Sequence, residues 1–464
     1  MLGSLAVRTI LVRADWLAFA SLSLGIGGGL LTWLLFLLSW AGVRLTLPMV
    51  LLTYGALILA LSVGAQRRRK SPPGGDQAEG RLPQQDRSHL WMTWASWATI
   101  GILIAAAFCL SVGLSYYTWD DIANWSVKGY GIALEGSILA GARWGSVGLS
   151  YPMNLPILIA LFRILDGDYL PGSKLLFPLF YASLLVGCYR FWRNRGLGSR
   201  EASLGSLVLG GTPILFMHAT MGYANLAFTF YLSLGVLWLI ESMQDNDPRK
   251  TLLGSVLLAL SMWTRPEGML MCAGVFIALG LARILSDKSR ARLAPLILPP
   301  LIVAAAWITF SRLHPTGDAE AYELSGLALR GLLGGDIRWA SLAVMVRFIG
   351  GQLLRYRDWG FTPGLVGILW IVSLRPRDIR RDSAIATLFF VITVLSLIVF
   401  GAHYMAAYSP HGPAWVYEWL SLNFNRVAMP VGTLMTVLAF LAIRGDRLSS
   451  AQNKSQDPTL TSSA

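Results

Sequence analysis

The chain has 464 residues, of which 55% are hydrophobic and 11% aromatic, with a charged fraction of only 14% and a mean hydropathy of +0.56. No soluble fold of this length buries so much apolar surface, so the composition predicts an all-α, polytopic integral membrane protein surrounded by membrane lipids. The net charge of +13 does not call for a nucleic-acid partner, because the basic residues sit mainly in short loops between apolar runs, where the positive-inside rule places them. Cys109, Cys188 and Cys272 all lie inside apolar runs and suggest neither a disulfide framework nor a metal cluster.

Apolar runs of about 20 residues, the length of one crossing, occur near 16–40, 47–65, 91–114, 173–190, 202–217, 222–241, 251–264, 267–285, 294–311, 359–374, 384–403 and 427–444, giving about 12 transmembrane helices. The first follows Arg8 and Arg13 without a small-residue cleavage site and reads as a signal anchor. Residues 1–65 form two N-terminal spans, and 66–90 is a basic, flexible cytoplasmic linker opening on Arg67, Arg68, Arg69 and Lys70. From there every second loop is basic: Arg190 to Arg200, Arg249 with Lys250, Lys288 to Arg292, Arg375 to Arg381, and Arg444 with Arg447. This alternation places 115–172, the 264–267 turn, 312–358 and 404–426 on the outer face.

The first large outer loop opens on two adjacent carboxylates, Asp120 and Asp121. Beyond them Ile122, Trp125, Gly129 and Ile132 recur at helical spacing while Lys128 and Glu135 fall elsewhere, so 116–138 should hold an amphipathic interfacial helix. Asp120 alone would serve as its N-cap, but a cap needs one carboxylate and not two. Tyr151 and Pro152 follow, and 152–165 is apolar but too short to cross, an interfacial or re-entrant helix.

Further along, Arg265 and Glu267 flank Pro266 in a tight turn between two spans, either a surface ion pair or a site contact on the leaflet of Asp120. In 312–358 the basic residues, Arg347 among them, accompany an amphipathic stretch at 339–354 that suits a surface helix able to meet a lipid phosphate. His403 and His411 are too irregularly spaced for a metal site and read as solvated loop histidines. Arg426 stands where the last span enters the outer leaflet and calls for an anionic partner such as a phosphate, or a lipid headgroup. The tail, 445–464, reads as disordered and cytoplasmic.

These groups suit transfer of a sugar from a lipid-linked phosphate donor to a hydroxyl acceptor. The leaving phosphate is already a stable anion, so one carboxylate takes the acceptor proton while cations steady the phosphate. The second carboxylate orients the acceptor, holds a divalent metal or tunes its neighbour. No metal ligand set is discernible in the sequence.

TWDDIANW in the first outer loop, the Tyr151-Pro152 segment, the TRPEG turn and NFNRVAMP at the last span resemble the C-type polytopic glycosyltransferases (GT-C), the superfamily of protein O-mannosyltransferases and of the aminoarabinose transferase of lipid A, and especially its bacterial members of unassigned acceptor. The resemblance covers 91–444. It implies a GT-C-like transmembrane catalytic core in a bacterial inner membrane and a polyprenyl-phosphate sugar donor. Asp120 would be the catalytic base and Asp121 its partner. Arg426 would contact the donor phosphate, with Arg265 and Arg347 as further phosphate contacts and Lys128, Tyr151 and Glu267 facing substrate. The acceptor, a glycan, lipid or protein, would be recognised by the outer loops, since no sizeable soluble domain is seen after the last span. Two rivals are a transporter or flippase, disfavoured by the lack of an internal repeat and of mid-span charges, and a lipid-linked glycan polymerase or ligase, disfavoured by the acidic pair so early in the chain.

Overall fold

The computed structural model describes residues 1–11, 14–69, 90–144, 149, 151–167, 171–286, 293–315, 330, 331, 333–374, 379, 382–408 and 412–455. Most of the linker 66–90, His411, and the basic clusters Lys288 to Arg292 and Arg375 to Arg381 lie outside the described residues. Among those described, all regular structure is helical.

In chain order the helices are α1 (Leu2–Ile10), α2 (Trp16–Trp40), α3 (Leu47–Arg69), α4 (Leu90–Gly113), α5 (Val127–Glu135), α6 (Gly141–Trp144), α7 (Asn154–Asp166), α8 (Pro171–Lys174), α9 (Leu176–Asn194) and α10 (Ser199–Gly210). Then come α11 (Pro213–Thr220), α12 (Ala224–Asp245), α13 (Pro248–Thr264), α14 (Glu267–Ser286), α15 (Leu293–Leu313), α16 (Trp339–Leu353), α17 (Tyr356–Trp359), α18 (Thr362–Ser373), α19 (Ser383–Tyr404) and α20 (Gly412–Ser455). Each of the twelve apolar runs is helical. Among the described residues, eight helices are long and apolar enough to cross a membrane unaided, and α14 and α18 are shorter apolar helices.

The run expected as a single span at 202–217 is broken. Helices α10 and α11 meet at 64° across Gly211 and Thr212. Pro213 explains the break: it lacks an amide proton to continue α10 and forces the preceding residue out of helical geometry, and Thr212 is extended. Pro213 then starts α11, where its missing donor costs nothing.

Helices α9, α12, α13 and the last long helix form the interior, whereas α3 and α4 keep most of their apolar surface outward, as lipid-facing helices do. Most of residues 152–165 form one short helix. Helix α7 has 13 residues, about 20 Å at the usual rise, and its first eight positions, Asn154 to Leu161, are buried against α5 and α2. A buried polar chain holds its start: Thr32 donates to Asn154 Oδ1 (2.6 Å), Asn154 donates to Thr264 Oγ1 (2.8 Å) and Trp263 donates to Thr32 (3.2 Å). The α2–α3 turn reaches the same end, where the Leu45 amide donates to Gly136 O (2.8 Å) and the Ile138 amide to Ser39 Oγ (3.1 Å).

Helix α20 begins well before the expected span. It runs unbroken from Gly412, so Arg426 sits within a helix rather than at a loop mouth, and it continues to Ser455 through the first residues of the segment expected as a tail.

Candidate active site

The two aspartates stand at the start of a helix that opens abnormally. Residues Asp121–Ser126 form a π-turn, closed by the Val127 amide bonding to Ile122 O, before ordinary helix resumes in α5. Such single turns recur at functional sites. The extra residue shifts the helical phase, so that Asp121 is buried and Ile122 exposed, while Trp125, Gly129 and Ile132 are buried as anticipated; Lys128, expected off this face, is fully buried beside them. Gly136, at φ 67°, ends α5 in the left-handed conformation glycine favours.

Asp120 makes no capping hydrogen bond. One of its oxygens pairs with Arg426 across 306 residues of sequence, and the other accepts from Asn124 Nδ2 at 2.9 Å. Arg426 also donates to Asn423 Oδ1 (2.9 Å), and its guanidinium lies 5.5 Å from the Tyr223 ring centroid. Both partners of the Asp120–Arg426 pair keep 22% of their side-chain surface exposed, so the pair is reachable from outside.

A second pair adjoins it. Arg265 forks onto Glu267 (3.0 and 2.6 Å) and donates to Asn225 Oδ1 (2.8 Å). Burial works against the Arg265 charge, but Glu267 outweighs it and holds the guanidinium above its ordinary pKa. The turn carrying this pair is tight enough that a Cβ on Gly268 would fall 2.6 Å from Ser261 O. Arg265 and Glu267 are therefore not a surface pair, since Arg265 is 8% exposed.

Tyr151 joins the two pairs. Its ring packs edge-on against Trp125 at 5.6 Å, with Lys128 Nζ 5.7 Å and the Arg265 guanidinium 6.0 Å from the ring. Burial pushes its hydroxyl above the usual phenol range; Glu267 and Asp120 add to this, and the two arginines oppose it. Of the residues singled out from sequence, Asp120, Arg426, Arg265, Glu267, Tyr151 and Lys128 thus converge at one end of the bundle.

Asp121 turns away from them. Its carboxylate is fully buried near Tyr116, Thr118, Gly222 and Lys174, with no hydrogen bond of normal geometry to either oxygen. Burial pushes it above the usual carboxylate range, with Thr118 and Lys174 offsetting only part of that. A side chain on Gly222 would strike the Tyr116 ring at 2.4 Å and lie 3.0 Å from Asp121 Oδ1, so glycine lets the α11–α12 connection pass here. Lys174 Nζ donates to Leu114 O (2.7 Å) and Ser115 O (3.0 Å), and Tyr116 shares a hydrogen bond with Ser173 (2.7 Å). The adjacent aspartates therefore do not form a joint chelating pair in this arrangement, and among the described residues no three His, Cys, Asp or Glu side chains converge as metal ligands.

Two further expectations differ from the structure. Arg347 lies exposed on α16, with no contact to the Asp120 cluster seen among the described residues, because the buried face of that helix carries Phe348, packed on Tyr417 and Phe424. His403 is not solvated: it is buried in the last turn of α19, with Nδ1 2.7 Å from Val399 O and its ring against Phe424. Four site residues escaped the sequence reading. Asn124 and Asn423 hold Asp120 and Arg426, and Tyr223 and Asn225 stand at the start of α12.

No family model matches this sequence, and no curated protein matches it. Among solved structures, the chain is similar to the crystal structure of ArnT from Cupriavidus metallidurans bound to undecaprenyl phosphate, at 14% identity and a TM-score of 0.42, with 79% of this chain and 80% of that chain covered.

Proposed function

We propose that this protein is a membrane glycosyltransferase that moves a sugar from a polyprenyl-phosphate carrier to a hydroxyl acceptor on the extracytoplasmic face. The observation that carries this reading is the meeting of Asp120 with Arg426, beside Arg265 and Glu267, at one end of a membrane-spanning bundle. A carboxylate and two guanidiniums are the groups such a displacement needs.

Asp120 takes the proton of the acceptor hydroxyl as its oxygen bonds to the anomeric carbon. The bond from that carbon to the phosphate oxygen breaks, and the polyprenyl phosphate departs with the electron pair. Arg426 and Arg265 stabilise the charge that gathers on the phosphate. A single displacement inverts the anomeric configuration. Arg426 pairs with Asp120, and an arriving phosphate draws Arg426 toward itself and leaves the carboxylate to act as base. Tyr151 and Lys128 line the acceptor side, and the alternation of basic loops puts this end outside the cytosol.

A deletion strain tests the reading. Its lipid-linked and cell-envelope glycans should lack one sugar substituent present in the parent, and unchanged glycans together with no donor turnover by the purified protein would refute it. Labelling of Arg143→Cys, in a background without Cys109, Cys188 and Cys272, tests the face. Arg143 is exposed, whereas Ser126 in the π-turn is buried and unsuited. Reaction with an impermeant thiol reagent on intact cells supports the outer placement, and reaction only in inverted vesicles contradicts it.

A further inference from the structure

On either side of the α11–α12 connection two polar side chains are buried in the bundle that the displacement above leaves unused. His218, on α11, is fully buried, and neither ring nitrogen has a hydrogen-bond partner. Its ring lies 5.3 Å from that of Tyr223, the same ring that the Arg426 guanidinium approaches. Asn225, in the first turn of α12, is 1% exposed. Its oxygen accepts from Arg265, which fixes the amide orientation and leaves Nδ2 aimed elsewhere with no acceptor. Buried donors almost always have partners, so each exception calls for an explanation, a bound ion or a catalytic role among them.

The surroundings define what would complete this one. The charged groups acting on His218 are Arg426 and Arg265, both cations. Of the carboxylates at this end, Asp120 is engaged by Arg426 and Asn124 and Glu267 by Arg265, while Asp121 lies on the far side of Gly222 with Tyr116 and Lys174. A neutral imidazole offers one N–H and a primary amide offers two. Two cations with two idle neutral donors suit a group with several anionic oxygens.

We infer that His218 and Asn225 donate hydrogen bonds to the phosphate that Arg426 and Arg265 attract, forming a four-residue anion subsite. The inference rests on the proposed function and adds residues to it. The neutral donors contact phosphate oxygens the guanidiniums leave uncovered, so they favour a phosphate over a planar carboxylate.

The test is binding of farnesyl phosphate to the full chain in detergent, with farnesol and inorganic phosphate as companion probes. The wild type should bind farnesyl phosphate and discriminate against farnesol. His218→Ala and Asn225→Ala should each weaken farnesyl phosphate about tenfold, the loss of one hydrogen bond to a charged group. His218→Gln, which keeps a donor, should bind within about threefold of the wild type, while His218→Met, similar in bulk without one, should match His218→Ala. The Gln and Met pair decides the matter even where the alanine variant fails to fold. Full competition by inorganic phosphate supports the subsite and assigns it to free phosphate; weak competition assigns it to the lipid carrier. Wild-type affinity in His218→Met and Asn225→Ala overturns the inference alone. Failure of the wild type to bind farnesyl phosphate overturns it together with the function on which it rests.

Discussion

Each end of the bundle holds a buried arginine paired with carboxylates, and the two are finished differently. At the end opposite Asp120, Arg190 donates to Asp15 (2.9 Å) and to both oxygens of Glu241 (3.0 and 3.2 Å). Its guanidinium lies 4.0 Å from the Trp238 ring, and Lys250 adds a second cation to Glu241 at 3.7 Å. Arg190 and Glu241 keep only 7% and 4% of their side-chain surface. At the other end the Asp120–Arg426 pair is partly open, and idle donors on His218 and Asn225 lie against its neighbours Tyr223 and Arg265. Ion pairs alone do not mark a site, since structural networks also bury them. An accessible pair beside unspent donors has capacity left for a ligand, which an enclosed network lacks.

The comparison breaks most sharply on the arginines. Arg426→Ala should lower sugar transfer by about two to three orders of magnitude, as loss of a charge-stabilising donor does, while melting and expression stay near the wild type; activity within a fewfold of wild type would remove Arg426 from the chemistry. Arg190→Ala should do the reverse. Leaving Glu241 and Asp15 without their arginine should destabilise the fold by about 3–5 kcal/mol, read as a lower melting temperature, with turnover per folded molecule unchanged.

A smaller effect separates positioning from chemistry. Asn425 donates to Asp358 (3.1 Å) and accepts from the Trp359 indole (3.0 Å), tying the turn that carries Arg426 to α17. Asn425→Ala should reduce transfer by about tenfold to a hundredfold through misplacement, chiefly in kcat, with donor affinity little changed.

The smallest effect is in pH dependence. Asp121 has a raised pKa in the folded protein, so the folded state holds a proton that the unfolded state gives up. Its ionisation therefore costs stability, a cost absent below the ordinary carboxylate range and growing as pH rises through the folded pKa. Asp121→Asn should raise the melting temperature by about a few degrees at neutral pH, with the gain shrinking toward pH 4. A gain that does not vary with pH would show that the carboxylate's charge is not the cause.

The sequence shows much of this architecture plainly and hides some of its joints. Apolar length and loop charge reveal the spans, because lipid imposes both. The TRPEG turn and NFNR segment stand out because charge is rare near apolar helices. The pairing of Asp120 with Arg426 is invisible, being a contact between ends of the chain that no local pattern encodes. The burial of Lys128 is masked by its charge, since its spacing from Trp125 and Ile132 puts it on their face. Arg347 misleads because a basic residue on an amphipathic helix reads the same whichever way that helix turns. His218 passes as an ordinary core histidine until the Pro213 break is seen to swing α11 toward Arg426.

Turnover of a radiolabelled polyprenyl-phosphate sugar by purified wild type and Asp120→Asn decides whether Asp120 is the base. The wild type should release polyprenyl phosphate and the variant none above background, with equal expression and melting temperature. Wild-type turnover by Asp120→Asn would remove Asp120 from that role.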